Sequence, residues 1–389
     1  MRIRHSRLLS GFVAAGLLLA ACGNDEDDAD TTTTAPADEG ATTTEGDAAS
    51  AGESEAQVSL DELCDQYKAD GVEAPEGFTV RLVTDIGKVD DRTFNQYAYE
   101  GMMAAAECFD FETSYIETVS EADYEKNIST ALDGGPDMLI TVGFLLTDDT
   151  LAAAQANPET SFIGIDQFVE EYPENYVGVL FNEHEGGYLA GVLAASLSES
   201  GVIGVVAGRE DVPPVVKFVN GYEAGAKSVN PDIQVLSIYN ESFTDANKGA
   251  SDAAQFIGEG ADVIFGAGGE TGSAAVKAAA EAGVWAIGVD QDEYYSTFSG
   301  GGAPGADKLA TSAVKRVDLG VFENIVAAMK GEFTGGIYAL TAENGGITYA
   351  PFHDADIPAE AAEAVEAARK GLADGSIETG IDPNTGLPL

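Results

Sequence analysis

The sequence predicts an α/β protein made of two doubly wound parallel-sheet lobes joined by a hinge. Two observations carry this expectation. From Phe78 onward, short β-rich runs alternate with amphipathic helical stretches. At residue 202 the alternation starts again. About 330 residues follow Gln57, enough for two lobes of ordinary domain size.

In the first series, strands are predicted at 79–84 (TVRLVT), 112–117, 138–142, 161–165 and 176–181. Helices are predicted at 93–109, 122–132, 148–156 and 185–198. In the second series, strands are predicted at 202–207, 233–239, 263–266 and 285–289, with helices at 215–229, 246–257 and 272–282. The first lobe is expected to hold 78–182 and 306–332, and the second 183–305 and 333–352. Three crossings between lobes make a hinge that closes around whatever binds between them. Residues 58–77 read as an N-terminal extension, and 353–389 as a polar Ala/Glu-rich helix followed by an irregular tail.

The first 21 residues read as an export signal. Arg2, Arg4 and Arg7 precede an apolar run from Leu8 to Ala20, too short for a stable membrane span. It ends in Leu19-Ala20-Ala21-Cys22, which resembles a bacterial lipobox. That resemblance implies lipid attachment at Cys22 and anchoring at the extracytoplasmic face of the cell membrane. Residues 23–57 contain no Lys, Arg or aromatic residue and are rich in Asp, Glu, Thr, Ala and Gly. Such a segment cannot bury enough apolar surface to offset its ordering entropy, and its carboxylates repel one another. Residues 22–57 are therefore expected to be a disordered acidic tether.

The formal net charge is −48, and loss of the three signal arginines makes the mature chain more acidic still. Nucleic acid is excluded as a partner, because phosphate binding needs Lys and Arg. The acidity fits either solubility at an exposed surface or saline surroundings that screen self-repulsion. Beyond Cys22, Cys64 and Cys108 remain. In an exported chain they are candidates for a disulfide, with two unpaired buried thiols as the alternative.

Parallel α/β sheets bind ligands beyond the carboxyl ends of their strands. Asp85, Asp166 and Asp290 each follow a predicted strand. Their carboxylates can accept hydroxyl or N–H donors, or else cap the next helix. Phe94, Asn95, Phe218 and Lys315 sit in the same kind of position or at the start of the following helix. The run Gly266 to Gly272 lacks the Gly-Lys-Ser/Thr of a phosphate-binding loop and misses the G-x-G-x-x-G spacing. Gly268 and Gly269 either let backbone N–H groups approach a ligand or simply make a tight turn.

These blocks resemble the basic membrane protein family, the PnrA-like lipoproteins. VTDIGKVDDRTFNQYAYEGM (83–102) resembles its opening block, followed in order by YLAGVLAA, PVVKFVNGYEAGAKSVNPDI, SFTDANKG, ADVIFGAGGETG, VWAIGVDQD and TSAVKRVD. The resemblance covers roughly 78–351. It implies a type I periplasmic-binding-protein fold and a substrate-binding lipoprotein of an ABC importer, monomeric and partnered by permease subunits. It also implies a purine nucleoside ligand. Phe94 would stack on the base, with Phe218 as the candidate for the opposite face. Asp85, Asp166 and Asp290 would read the base edge and ribose, and Lys315 would reach the ligand.

No enzymatic activity, cofactor or metal is expected. His5 lies in the signal, His184 and His353 stand apart in sequence, and no H-E-x-x-H, G-x-S-x-G or C-x-x-C motif occurs. Asp90-Asp91 reads as a cap on the first helix. Two other functions remain open on this fold: a solute receptor for a signalling partner, and a nucleoside hydrolase.

Overall fold

The computed structural model describes residues 58–389; the expected signal, Cys22 and the acidic tether lie outside the described residues. The first lobe opens with α1 (Leu60–Ala69), β1 (Thr79–Ile86), α2 (Phe94–Phe109), β2 (Glu112–Thr118) and α3 (Tyr124–Leu132). It continues with β3 (Met138–Val142), α4 (Thr147–Ala156), β4 (Ser161–Ile165) and β5 (Tyr176–Phe181). The second lobe runs through α5 (Glu183–Leu197), β6 (Val202–Ala207), α6 (Pro213–Val229), β7 (Gln234–Tyr239), α7 (Ala246–Gly258) and β8 (Val263–Ala267). Then come α8 (Gly269–Glu281), β9 (Trp285–Asp290), α9 (Glu293–Ser296) and β10 (Leu309–Lys315). The chain returns to the first lobe for α10 (Val317–Met329) and β11 (Gly336–Leu340), and to the second for β12 (Ile347–Tyr349) and α11 (Ala359–Ala373).

Each lobe holds one six-stranded sheet, ordered β11-β5-β4-β3-β1-β2 in the first and β12-β10-β9-β8-β6-β7 in the second. Pairing is parallel throughout except for β12, which runs antiparallel to β10. The central strands β3 and β8 are buried at every position, as sheets covered by helices on both faces require.

The strand pairings shift two of the expected lobe boundaries. Residues 309–315 belong to the second lobe, because β10 pairs with β9 on one side and β12 on the other. All seven of its residues are buried, so both edges of its backbone need partners, and only that sheet supplies them. Residues 336–340 belong to the first lobe, where β11 pairs with β5 from Gly336↔Val177 to Leu340↔Phe181. The crossings therefore fall at Asn182, Arg316 and 341–346. They are bonded to one another: Asn182 N donates to Leu340 O at 3.1 Å, Arg316 N to Gly346 O at 2.9 Å, and Ala342 N to the Glu185 carboxylate at 2.7 Å.

The second lobe's core rests on a close α5–α6 contact. A Cβ on Gly187 would lie 2.2 Å from Phe218 O, and one on Gly191 2.1 Å from Tyr222 O. From the other helix, a Cβ on Gly221 would lie 2.2 Å from His184 O, and one on Gly225 2.1 Å from Tyr188 O. Four missing side chains thus let two backbones touch, and no substitution fits there without moving a helix. Gly191→Ala is expected to destabilise the protein by ~1–3 kcal/mol in chemical denaturation. Gly258→Ala, at a helical position with open space around it, should be neutral or stabilising.

Cys64 and Cys108 form a disulfide with 5.9 Å between their Cα atoms. It ties α1, which has no buried residue of its own, to the C-terminal end of α2. The bridge spans 44 residues, so reduction frees a long loop in the unfolded chain. Reductant, or replacement of both cysteines by Ala, should cost about 2–4 kcal/mol, read as a lowered melting temperature. An unchanged melting curve would mean that the bridge adds nothing to the packing of Leu60, Leu63 and Tyr67 on the first-lobe core.

Candidate functional site

The two sheets turn the C-terminal ends of their parallel strands toward each other, and a narrow cleft lies between them. It is lined from the first lobe by Asp85, Asp91, Phe94, Asn95, Phe144 and Asp166. From the second come Phe218, Phe243, Gly268, Gly269, Asp290 and Lys315. Every ligand-binding residue expected from the sequence lines this one cleft. Contacts across its mouth hold the lobes together: Gln291 Nε2 donates to Thr93 O at 3.2 Å, Ser296 Oγ donates to Arg92 O at 2.8 Å, and Arg209 pairs with Glu121.

Asp85 stands at the end of β1 and accepts from Asn95 Nδ2 at 2.8 Å. Its carboxylate fits because Gly143 has no side chain: a Cβ there would lie 2.6 Å from Asp85 Oδ2. Asp91 performs the expected cap, accepting from the backbone N–H groups of Thr93, Asn95 and Gln96, each at 3.0 Å. Asp166 and Asp290 both adopt left-handed backbone conformations at strand ends, with φ of 62° and 65°. Such positions are strained for a residue with a Cβ and concentrate at functional sites. Lys315, 1% exposed, donates to Asp166 Oδ2 at 2.6 Å and lies 4.9 Å from the centre of the Phe94 ring.

Two acceptors lack protein partners. Asn95 Oδ1 and Asp166 Oδ1 are buried in the cleft wall and accept no hydrogen bond from the described residues. Leaving such atoms unmet costs roughly 1–3 kcal/mol each, so a donor-bearing ligand gains by meeting them.

The aromatic residues divide by exposure. Phe94, Phe144 and Phe243 are half-buried and line the cleft. Phe218 is 4% exposed and packs edge-on against Phe265, with ring centres 6.1 Å apart. It touches the cleft from the core and offers little face to a ligand. Phe243 is held by Thr271 N, which donates to Phe243 O at 3.1 Å, and its ring packs over Gly208, where a Cβ would lie 2.2 Å away. Gly269 takes φ 57°, and Gly268 lies where a Cβ would sit 2.3 Å from Gly208 N, so both glycines are needed by the turn itself.

Phe243, Phe144 and Glu183 are absent from the sequence-derived site. The first two directly follow or lie between predicted elements, and a stricter reading of every aromatic at the sheets' carboxyl edge finds them. Glu183, buried at the start of α5 and 2.8 Å from Lys315 Nζ, gives no signal in sequence that separates it from a solvated helix-start carboxylate.

The family described as ABC transporter substrate-binding protein, PnrA-like, matches residues 78–357. The chain belongs to this family. It is 33% identical over 311 residues to the ABC transporter nucleoside-binding protein BmpA of Lactococcus lactis, covering 76% of this chain and 87% of that protein. It is 31% identical over 335 residues to the CD4+ T-cell-stimulating antigen of Listeria monocytogenes, covering 82% and 92%. A solved ABC transporter solute-binding protein from Aeropyrum pernix K1 superimposes with a TM-score of 0.69 at 25% identity, covering 77% of this chain and 92% of that one. The fold is accordingly the type I periplasmic-binding-protein fold, and this PnrA-like chain is the substrate-binding protein of an ABC transporter. Proteins of this family bind and deliver substrates rather than transform them. No helix among the described residues is long and apolar enough to cross a membrane.

Electrostatics marks the cleft. Burial pushes Asp85 up to about 7, against the Asn95 hydrogen bond and with help from Asp91 and Asp166. Burial also pushes Asp290 up to about 7, against the pull of Lys315 and with help from Asp166. The unfolded value for Asp lies near 3.9. A folded value above it gives stability that is complete below about pH 4 and falls away as pH rises to about 7. The unliganded protein should lose up to ~1.4 kcal/mol per pH unit from each such group over that window. Asp290→Asn should lose measurably less than wild type between about pH 5 and 7 in urea denaturation; equal losses would place Asp290 in water.

Proposed function

We propose that this PnrA-like protein binds a purine nucleoside between its lobes and hands it to the permease of an ABC importer. It works as a monomer at the extracytoplasmic face of the cell membrane, held there by lipid on Cys22. The observation that carries the ligand class is the pairing of aromatic faces with acceptors in one cleft. Phe94 and Phe243 offer ring surface from opposite lobes, while Asp85, Asn95 Oδ1, Asp166 Oδ1 and Asp290 offer acceptors around them. A purine nucleoside supplies the complement: a flat π-face, N–H groups on the base edge and ribose hydroxyls. Five acidic residues line the cleft against one lysine, so the ligand is a neutral donor-rich molecule rather than an anion. The nucleoside-binding name of the Lactococcus relative supports the same class.

In this reading Phe94 and Phe243 sandwich the base, and Phe218 backs the pocket from the core. Asp85 and Asn95 read the base edge. Asp166, Asp290 and Lys315 hold the ribose, with the Gly268–Gly269 backbone beside it. Contact with both lobes stabilises the closed form that the permease distinguishes from the empty one.

Titration calorimetry with inosine, guanosine and adenosine, on protein stripped of bound small molecules, tests this. Phe94→Ala and Phe243→Ala should each weaken binding by ~1–3 kcal/mol, roughly one to two decades. Phe218→Ala should act mainly on stability, by ~3–5 kcal/mol. Wild type should discriminate against 2′-deoxynucleosides, and Asp290→Ala should discriminate less. Absence of heat and of thermal shift with every purine nucleoside would refute the ligand class.

A further inference from the structure

Behind the cleft lies a buried chain of four alternating charges. Lys217 Nζ donates to Glu183 Oε2 at 2.7 Å and to Phe181 O at 3.0 Å. Glu183 Oε1 lies 2.8 Å from Lys315 Nζ, which in turn donates to Asp166 Oδ2 at 2.6 Å. Glu183 is 0% exposed and Lys217 6%. Asp166 and Lys315 line the cleft, whereas Glu183 and Lys217 do not. A ligand therefore meets one end of the chain only.

The chain also spans the hinge. Asp166 belongs to the first lobe, Glu183 opens α5 one residue past the crossing at Asn182, Lys315 is the last residue of β10 before the crossing at Arg316, and Lys217 lies on α6. Its far end is covered by the C-terminal segment, beyond the part of the chain that the family matches. Asn220 Nδ2 donates to Gly386 O at 2.6 Å, and a Cβ on Gly386 would lie 2.8 Å from Lys217 N. The neighbouring His184, hydrogen-bonded to Thr379, is pushed down to about 4 by burial and stays neutral.

The physical need is plain. Buried charges cost several kcal/mol each unless paired. Lys315 pairs directly with Asp166 at 2.6 Å and Glu183 at 2.8 Å, while Asp290 pulls on its ammonium without a direct pair. Burial alone would raise Glu183, but Lys217 and Lys315 outweigh it and hold it well below the usual carboxylate range. We infer that Glu183 and Lys217 are positioning residues for ligand binding: Glu183 holds the Lys315 ammonium in place at the cleft wall, and Lys217 neutralises Glu183 so that its charge is not imposed on the cleft carboxylates. The inference deepens the nucleoside reading and rests on it only for its binding measurement. Other charged groups facing the chain are Asp85 and Asp91 from the first lobe, Asp290 from β9, Arg316 paired to Asp318 beyond Lys315, and Asp382 beside His184.

The test has two readouts on the full folded protein. The first is ¹⁵N-lysine NMR in the absence of ligand. Of the eleven lysines, Lys217 and Lys315 should give slowly exchanging ammonium signals, and Glu183→Gln should displace both. Absence of slow signals in wild type, or a Lys315 signal untouched by Glu183→Gln, overturns the proposal whatever the ligand is. The second is the pH midpoint of inosine affinity. Glu183→Gln removes a negative charge that resists ionisation of Asp166 and Asp290, so the midpoint should fall. Lys217→Met leaves Glu183 half-compensated, so it should rise, and this variant carries the test if Glu183→Gln does not fold. Shifts in the same direction, or none, overturn the positioning role. Displaced lysine signals with no inosine heat in wild type leave the ion chain standing and overturn the nucleoside reading instead.

Discussion

The Lys315 ammonium is the group on which the site depends. It sits at the end of the last parallel strand of one lobe and is bonded to the carboxylate that ends a strand of the other, 2.6 Å away. A bond of this kind is made only when the lobes are together. In this conformation the Lys315–Asp166 pair bridges the lobes, while Asn95 Oδ1 and Asp166 Oδ1 are unmet. In the proposed reading, a ligand that supplies donors to those atoms favours closure to the extent that it meets both walls at once.

The fold explains why so many carboxylates are gathered there. Parallel strands place the residue that follows each of them at one edge, so Asp85, Asp166 and Asp290 arrive at the same wall from three strands and two lobes. Helices on both faces keep water out, and burial raises each of these carboxylates above its usual range. The cost is offset in part by Lys315. In the proposed reading the gathered carboxylates also set the selectivity, since an anionic ligand would add to the repulsion while a neutral hydroxyl-bearing one relieves it.

The strand–helix alternation is legible because the central strands are short, mostly apolar runs such as MLITV, SFIGI and VIFGA between helical stretches. β10 was not, because Leu309-Ala-Thr-Ser-Ala-Val-Lys is built of small residues and ends on a lysine that reads as solvated. β10 and β11, neither of them expected, account for the two displaced lobe boundaries. α1 is not legible because none of its residues is buried: it is held by the disulfide and by half-buried Leu60, Leu63 and Tyr67 against the first-lobe core. Within the site, aspartates after strands were readable from position alone. Phe218 and Phe243 were not separable that way, since which ring shows its face depends on how α6 packs against β8. Glu183 and Lys217 were invisible for a different reason: they are 34 residues apart, and only the touching backbones of α5 and α6 bring them together.

The ligand proposed for this cleft is a neutral, donor-rich ring compound held between acidic walls. Mass spectrometry of the small molecules released when protein purified from its native host is denatured tests that most directly. A purine nucleoside, at close to one per chain, is the expected result. Release of a nucleotide, an organic acid or another anion at that stoichiometry would contradict it, because five cleft carboxyl groups facing one lysine have no means of holding a second negative charge.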